Sequence, residues 1–494
     1  MGQMQFIVPH PERLPPHAAE HAYIAGAEGV PWECRSTLVG NVLAIQRSTR
    51  ESGLVHVLWQ INETCTAVLS SGTLMERVKP YLLPLELARG LLTRLRNQSA
   101  AWETAGMQIT AEYRTKLAEA TSYFAESATG QQDHKAAAES AQKSIAAAYA
   151  ALETLGREYV DQVLKLRTDG QHRIPMLLAA RVDHAPPGPK VKPLAEAFNT
   201  MFVEPLWSEL ETNMGQRHWT GIDAAVRWTQ EHDFRLGMGP LVNFDPRNLP
   251  DWITLWNDDF EELASCVTQF VRAVVQRYKG KVQLWHVAAG LNAPDSLDLS
   301  EDQRLRIAVD ALETVRSIDS KTPLVISVAQ PWAEYIARQD HEFSPFSFAD
   351  TLVRGDLGIS AIGLEINLGY SPQGTLPRDP LEFSRMIDRW TQLGLPLVVM
   401  LAAPSEGGDD AKAACPVKNV CGSGAAPTSV ESQRALLEKL LPLLASKQPV
   451  QAVVWNQLAD ARPHAFPHAG LFDAAEHAKP LLKSIADVRR KYLN

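Results

Sequence analysis

Four runs decide how this chain is read: VQLWHVAAG (282–290), PLVISVAQ (323–330), ISAIGLEINL (359–368) and LPLVVMLAAP (395–404). Each is nearly continuous in apolar residues, and amphipathic helical patterns separate them. A strand with one face in water alternates apolar and polar residues. These do not alternate, so both faces must be covered, as in a parallel sheet layered with helices. Working outward, IPMLLAARV (174–182), TMFVEPLW (200–207) and RLGMGPLVNF (235–244) repeat the pattern upstream, and VQAVVWNQLA (450–459) repeats it downstream. Eight such strands, each followed by helix, predict a closed (β/α)8 TIM barrel over residues 172–494. No Gly-x-Gly-x-x-Gly run follows any of them, so a dinucleotide-binding sheet has no support.

Upstream of the barrel the pattern changes twice. Residues 1–83 carry the short β-type runs MQFIV, TLVGNVLAIQ, LVHVLWQI and CTAVLS. Turn-formers such as Ser48, Ser52, Gly53 and Asn62 lie between them, as in a small β-sandwich-like domain. Residues 84–171 read as helix, with two long Ala/Glu/Lys-rich segments near 107–128 and 133–167. Leu152, Leu155, Tyr159, Val163 and Leu166 recur at helical spacing. The expectation is an antiparallel helical hairpin that packs on a neighbouring domain or forms a homo-oligomer surface. The whole is an α/β chain of 494 residues, long enough for two or three domains.

Composition narrows the partners. The chain is 45% hydrophobic and 21% charged, with a net charge of −9, which disfavours nucleic acid and anionic membrane surfaces. The N-terminus lacks a basic segment followed by an apolar one, and no run of about 18 apolar residues exists to span a bilayer. A cytoplasmic location is therefore expected. Five cysteines are too few and too scattered for a disulfide framework. Cys415 and Cys421 are the only close pair, read as free thiols or as a bridge closing one loop. Two thiols alone make no zinc site, and His464 and His468 sit in a proline-rich loop rather than four apart on a helix. No metal and no cofactor are expected.

Four segments then fall into a recognisable order. LVNFDPRNLPDW (241–252), VVQRYKGKVQLWHV (274–287), GISAIGLEINL (358–368) and VVWNQLAD (453–460), the last followed by GLFD (470–473) and Lys479-Pro480, resemble landmarks of the third, fourth, sixth and eighth strands of glycoside hydrolase family 10. The resemblance covers about 172–494 and implies a xylanase-like barrel that binds oligo- or polysaccharide. Retaining glycosidases of this kind need two carboxyl groups, one as acid/base and one as nucleophile. Where the resemblance places the acid/base glutamate, the chain reads Ala289-Gly290. Where it places the nucleophile, within VVMLAAP, it reads Leu401. Neither Gly nor Leu can donate a proton or form a glycosyl ester.

The same alignment leaves polar groups at the ends of other strands. Glu204 falls where the family keeps the Glu of its second-strand Glu-Asn pair. Glu365 and Asn367 take the sixth-strand Gln and His positions. Trp455 takes the place of the eighth-strand Trp that floors the sugar site, and His286 that of an Asp. With Asp183, His184, Asn243, Asp245, Gln330 and Asp460, these line the expected mouth, because the carboxyl ends of barrel strands face the site. Trp32 and Trp59 would offer a sugar platform if the N-terminal sheets are a carbohydrate-binding module. Three functions follow. The first is a carbohydrate-binding pseudoenzyme without retaining hydrolysis, with Trp455, Asn367, Asn243, His286, Gln330 and Asp183 as ligand contacts. The second is a glycosidase with relocated carboxylates, Glu365 working with Glu204 or Asp245. The third is an assembly protein with an inert barrel.

Overall fold

The computed structural model describes residues 2–168, 172–294, 296–339, 341–414, 418–419 and 428–493. Seven strands open the chain: β1 (Gly2–Ile7), β2 (Tyr23–Ala25), β3 (Cys34–Val39), β4 (Val42–Arg47), β5 (Leu54–Asn62), β6 (Cys65–Ser70) and β7 (Tyr81–Leu82). They form a four-stranded sheet in the order β3-β4-β1-β7 and a three-stranded sheet in the order β2-β5-β6. β7 runs directly into α1 (Leu83–Thr104), and α2 (Ala111–Thr129) and α3 (His134–Thr168) follow.

The helices have sequence reasons for their ends. The Thr110 side chain accepts the backbone N–H of Tyr113 and so caps the start of α2. Four residues separate α2 from α3, and the two run antiparallel. Ser127 Oγ donates to the Ala137 carbonyl, Ser144 Oγ to that of Ala120, and Gln108 pairs with Gln162. Most of their apolar stripe is covered, although Leu166 is 79% exposed. Ile145, Leu152 and Leu155 of α3 and Leu87, Leu91 and Leu95 of α1 join Phe6, Ile45 and Trp59 of the sheets in one core. The 1–83 and 84–171 segments therefore share a core. Leu164, near the end of α3, belongs instead to the core of the barrel.

The eight expected strands are all present: β8 (Leu177–Val182), β9 (Thr200–Val203), β10 (Arg235–Met238), β11 (Leu284–Ala289), β12 (Leu324–Ala329), β13 (Ile359–Asn367), β15 (Leu397–Ala402) and β17 (Val450–Trp455). All pair in parallel and close in the order β8-β9-β10-β11-β12-β13-β15-β17. Two short strands, β14 (Tyr370–Ser371) and β16 (Lys418–Asn419), pair separately and antiparallel.

Strand periodicity sorts the side chains into two layers. Ala179, Phe202, Val325, Ala361, Val398, Met400, Ala452 and Val454 fill the lumen. Their neighbours point outward to the helices. The Phe202 ring occupies the centre because the facing residue is Gly237, where a Cβ would lie 2.8 Å from that ring. The lumen is thus plugged, and the next inward-facing residues form the floor of the mouth.

The N-terminal unit is joined to the barrel by buried charge as well as apolar contact. Arg94 of α1 holds Asp379 at 3.2 Å and Glu382 at 2.5 Å. Arg378 pairs with Glu334 and donates to the Tyr23 hydroxyl at 2.8 Å. His56 stacks on Tyr23 with ring centroids 4.8 Å apart, and neither of its ring nitrogens has a hydrogen-bond partner.

Burial, with the Arg378 charge, pulls His56 down from 6.5 to about 3. The folded value lies below the unfolded one, so the contribution is intact above pH 6.5. It is lost as pH falls toward 3, where only the unfolded chain takes the proton. Between pH 7 and pH 5 this site alone should cost about 2 kcal/mol of stability. Thermal melts of His56→Phe, which keeps the stack on Tyr23, should show a shallower loss over that range. An unchanged slope would remove His56 from the account.

Candidate functional site

The inward parity that fills the lumen also sets the mouth. Two residues past Ala179 comes Arg181. Two past Phe202 comes Glu204. Steps of two from Ala361 pass Gly363 and reach Glu365 and then Asn367, and two past Val454 comes Asn456. All five line one cavity of about 500 Å3 over the carboxyl ends of the strands. That size suits a drug-sized ligand.

Arg181 lies between the two glutamates. Its guanidinium is 3.9 Å from Glu204 Oε1 and 3.5 Å from Glu365 Oε1. Glu204 Oε2 also accepts Arg247 Nη2 at 3.2 Å. Glu365 accepts the Ser327 hydroxyl at 2.9 Å on one oxygen and Asn456 Nδ2 at 3.1 Å on the other. Asn456 Nδ2 donates in addition to Asn367 Oδ1 at 2.9 Å. Glu204 is only 4% exposed and Glu365 8%, so both meet solvent only through the cavity. Burying charge without partners is costly, and Arg181 is what makes this floor tenable.

The other expected residues divide. Asp183, His184, Asn243, Asp245 and Gln330 do line the cavity. Asp183 accepts His184 Nδ1 at 2.5 Å. Burial raises the Asp183 carboxyl, but the bond and charge of His184, with Arg247 and Arg462, hold it below the usual range. Asp245 closes a turn: its N–H donates to Asn243 Oδ1 and its Oδ1 accepts the Arg247 N–H, both at 2.9 Å. Gln330 Nε2 donates to the Pro372 carbonyl at 2.6 Å.

Four expectations are corrected. Trp455 has the opposite parity from Val454 and Asn456, so its indole points outward. It packs with Leu401, Leu437 and Leu440 and donates to the Ala469 carbonyl at 2.9 Å. It floors no sugar site. Leu401 also points outward, and the inward positions on β15 are Met400 and Ala402, which pair with Glu365 and Asn367. Neither of those carries a carboxyl group. His286 is fully buried below the mouth, where its Nε2 meets Ser327 Oγ at 2.8 Å. Burial and Arg181 push its pKa well down, so the ring is neutral and donates to the hydroxyl that in turn serves Glu365. Asp460 is held by Lys479 at 2.5 Å and Gln457 at 2.9 Å, away from the cavity.

In the N-terminal unit, Trp59 is 1% exposed and donates to Gln142, so it cannot be a sugar platform. Trp32 is partly buried in the same core, with Arg47 over its ring. His464 is occupied on both nitrogens, by the Arg462 carbonyl and Asp410. Among the described residues no group of three or more His, Cys, Asp or Glu converges as a metal set. Cys415 and Cys421 lie outside the described residues.

Several cavity residues escaped the sequence reading. Arg181 and Asn456 carried a signal, since each extends the inward parity of an apolar strand. Arg247, Phe466, His21 and Tyr23 carried none, because loop paths and interdomain packing bring them in. Phe466 is half-buried on the cavity wall, 5.1 Å from Tyr370, and is the aromatic that Trp455 is not.

Comparison with known proteins gives these positions a context. Residues 181–304 match the family model described as glycosyl hydrolase family 10. Endo-1,4-beta-xylanase 3 of Hypocrea jecorina is 30% identical over 103 residues, which is 21% of this chain and 27% of that protein. The match therefore spans about a quarter of that relative's length. Among solved structures, xylanase 10B from Thermotoga maritima aligns at 17% identity with a TM-score of 0.49, over 68% of this chain and 98% of its own. Xylanase 10B from Thermotoga petrophila, in complex with xylobiose, aligns at 17% identity and a TM-score of 0.48, over 68% and 97%. Across residues 181–304, from the end of β8 to the helix after β11, this chain is similar to glycosyl hydrolase family 10.

Proposed function

We propose that the barrel mouth binds a short carbohydrate and does not carry out retaining hydrolysis. The observation behind this reading is the cavity of about 500 Å3 whose floor gathers Arg181, Glu204, Glu365, Asn367 and Asn456. A few convergent charged and amide groups in a concave site match the hydroxyl groups of a sugar. Phe466 offers an apolar face of the kind a pyranose ring stacks on. Against hydrolysis, the ends of β11 and β15 carry Gly290, Met400 and Ala402 on the mouth side, none of which ionises.

The relocated-carboxylate reading draws on Glu204, Glu365 and Asp245 sharing one cavity. It is disfavoured by what surrounds them. All three polar partners of Glu365, namely Arg181, Ser327 and Asn456, belong to the protein's own hydrogen-bonded floor.

The test has two arms on the intact protein. Calorimetric titration with xylobiose and longer xylo-oligosaccharides should give saturable binding. Asn367→Ala should weaken it roughly 2- to 10-fold, the worth of one neutral hydrogen bond. Aryl β-xylosides and xylan should be hydrolysed no faster than in buffer. Turnover abolished by Glu365→Gln would establish the relocated site instead. Absence of both binding and turnover would favour the assembly role.

A further inference from the structure

Two residues of the cavity come from outside the barrel. His21 and Tyr23, at the start of β2, lie on its wall beside Tyr335, Arg338 and Leu376. We infer that the N-terminal unit is a fixed wall of the carbohydrate site, so that the ligand enters by a chain end and no polysaccharide strand crosses the mouth. This inference rests on the carbohydrate reading and narrows it to the terminal few sugars of a chain.

The wall is placed by topology. The loops after β12 and β13, residues 330–339 and 368–378, rise side by side from the barrel, and the N-terminal unit backs onto both. The Tyr23 hydroxyl accepts from Arg378, which pairs with Glu334, whose other oxygen accepts the Leu376 N–H at 3.1 Å. His21 Nδ1 meets Arg338 at 3.2 Å. The Val68 N–H donates to the Pro377 carbonyl at 2.8 Å. Ala337, Leu376 and Leu381 of the barrel belong to the hydrophobic core of the N-terminal unit. Burial pushes the Tyr23 hydroxyl up to about 12, so at neutral pH it keeps its proton.

A strap that opens for substrate is drawn from weakly packed, solvated segments. This contact is the reverse, a shared core pinned by buried ion pairs. Opening it would expose Arg378, Glu334 and the apolar side chains together. On the opposite side the cavity is lined by Asp183, His184, Asn243, Asp245 and Arg247 from the loops after β8 and β10. A cavity of about 500 Å3 between these limits holds about two or three pyranose rings, within the usual range for small-molecule sites.

The experiment is a ladder of xylo-oligosaccharides from one to six units, titrated into the full chain, with xylan as competitor before and after shearing at constant mass. Affinity should rise to about three units and then stay flat. Shearing should strengthen competition in proportion to the new chain ends. Affinity still climbing through six units, or competition unchanged by shearing, would overturn the closed wall and leave the carbohydrate reading standing. Binding of no ladder member would overturn that reading and this inference with it. His21→Trp adds volume at the wall and loses only the contact to Arg338. It should lower the saturating length by about one unit without a change in melting temperature. A ladder identical to that of the unaltered protein would place the wall away from the ligand.

Discussion

Replacing Arg181 by methionine should destabilise the protein by about 3–5 kcal/mol, the usual cost of removing one partner from a buried ionic cluster. Arg181 is 9% exposed and stands between Glu204 and Glu365, within 4 Å of both. Methionine fills similar volume, so the loss reads electrostatics rather than a cavity. Without the guanidinium, Glu204 keeps Arg247, and Glu365 keeps only the neutral donors Ser327 and Asn456. Denaturant unfolding at pH 7 measures the loss. Adding Glu365→Gln to Arg181→Met should return most of it, because the one carboxylate left without a cationic partner is then neutral. A loss below about 1 kcal/mol would mean that the cluster behaves like an exposed pair.

The barrel was legible because its eight strands are apolar on both faces, a pattern that few other structures need. Its floor was legible only in part. Glu365 stood out as a carboxylate inside an apolar run, and Glu204 was found through the family resemblance. Trp455 was misplaced because the alignment carried a residue type without its parity. Counting by twos from Val454 would have turned the indole outward and brought Asn456 in. Leu401 failed in the same way, although β15 has no carboxylate at either parity. Arg181 was missed, although the same count on β8 would have brought it in. His21 and Tyr23 could not be found so. They enter the cavity only because two domains pack, and no periodicity within one element encodes contact between two. The N-terminal segments resisted for a related reason: sheet and helix patterns were each visible, but not that α1 and α3 cover the sheets and complete their core.

That packing makes a second large effect expected. Arg94→Leu should cost about 3–5 kcal/mol although the residue lies in the helical segment and does not line the mouth. The side chain is 9% exposed and is bound to Asp379, fully enclosed, and to Glu382. Burial raises both carboxyls: at Glu382 the attraction of Arg94, Arg385 and Arg378 outweighs it and holds the value at about 2, whereas at Asp379 burial and the neighbouring Glu382 outweigh Arg94 and the value is raised. The two shifts oppose one another, and Arg94 lowers both. Removing Arg94 takes away the largest of those attractions and strands two carboxylates in the contact between α1 and the barrel. The variant should unfold earlier in denaturant at pH 7. It should also lose less further stability than the unaltered protein when acidified from pH 5 to pH 3, since less charge attraction remains to be titrated. If the two units were merely tethered, Arg94→Leu would lower the melting temperature of the N-terminal part alone and split the transition in two. The shared core of Leu87, Leu91, Ala337, Leu376 and Leu381 argues for one transition that moves as a whole. The same packing ties that transition to the cavity, because His21 and Tyr23 leave its wall when the contact opens.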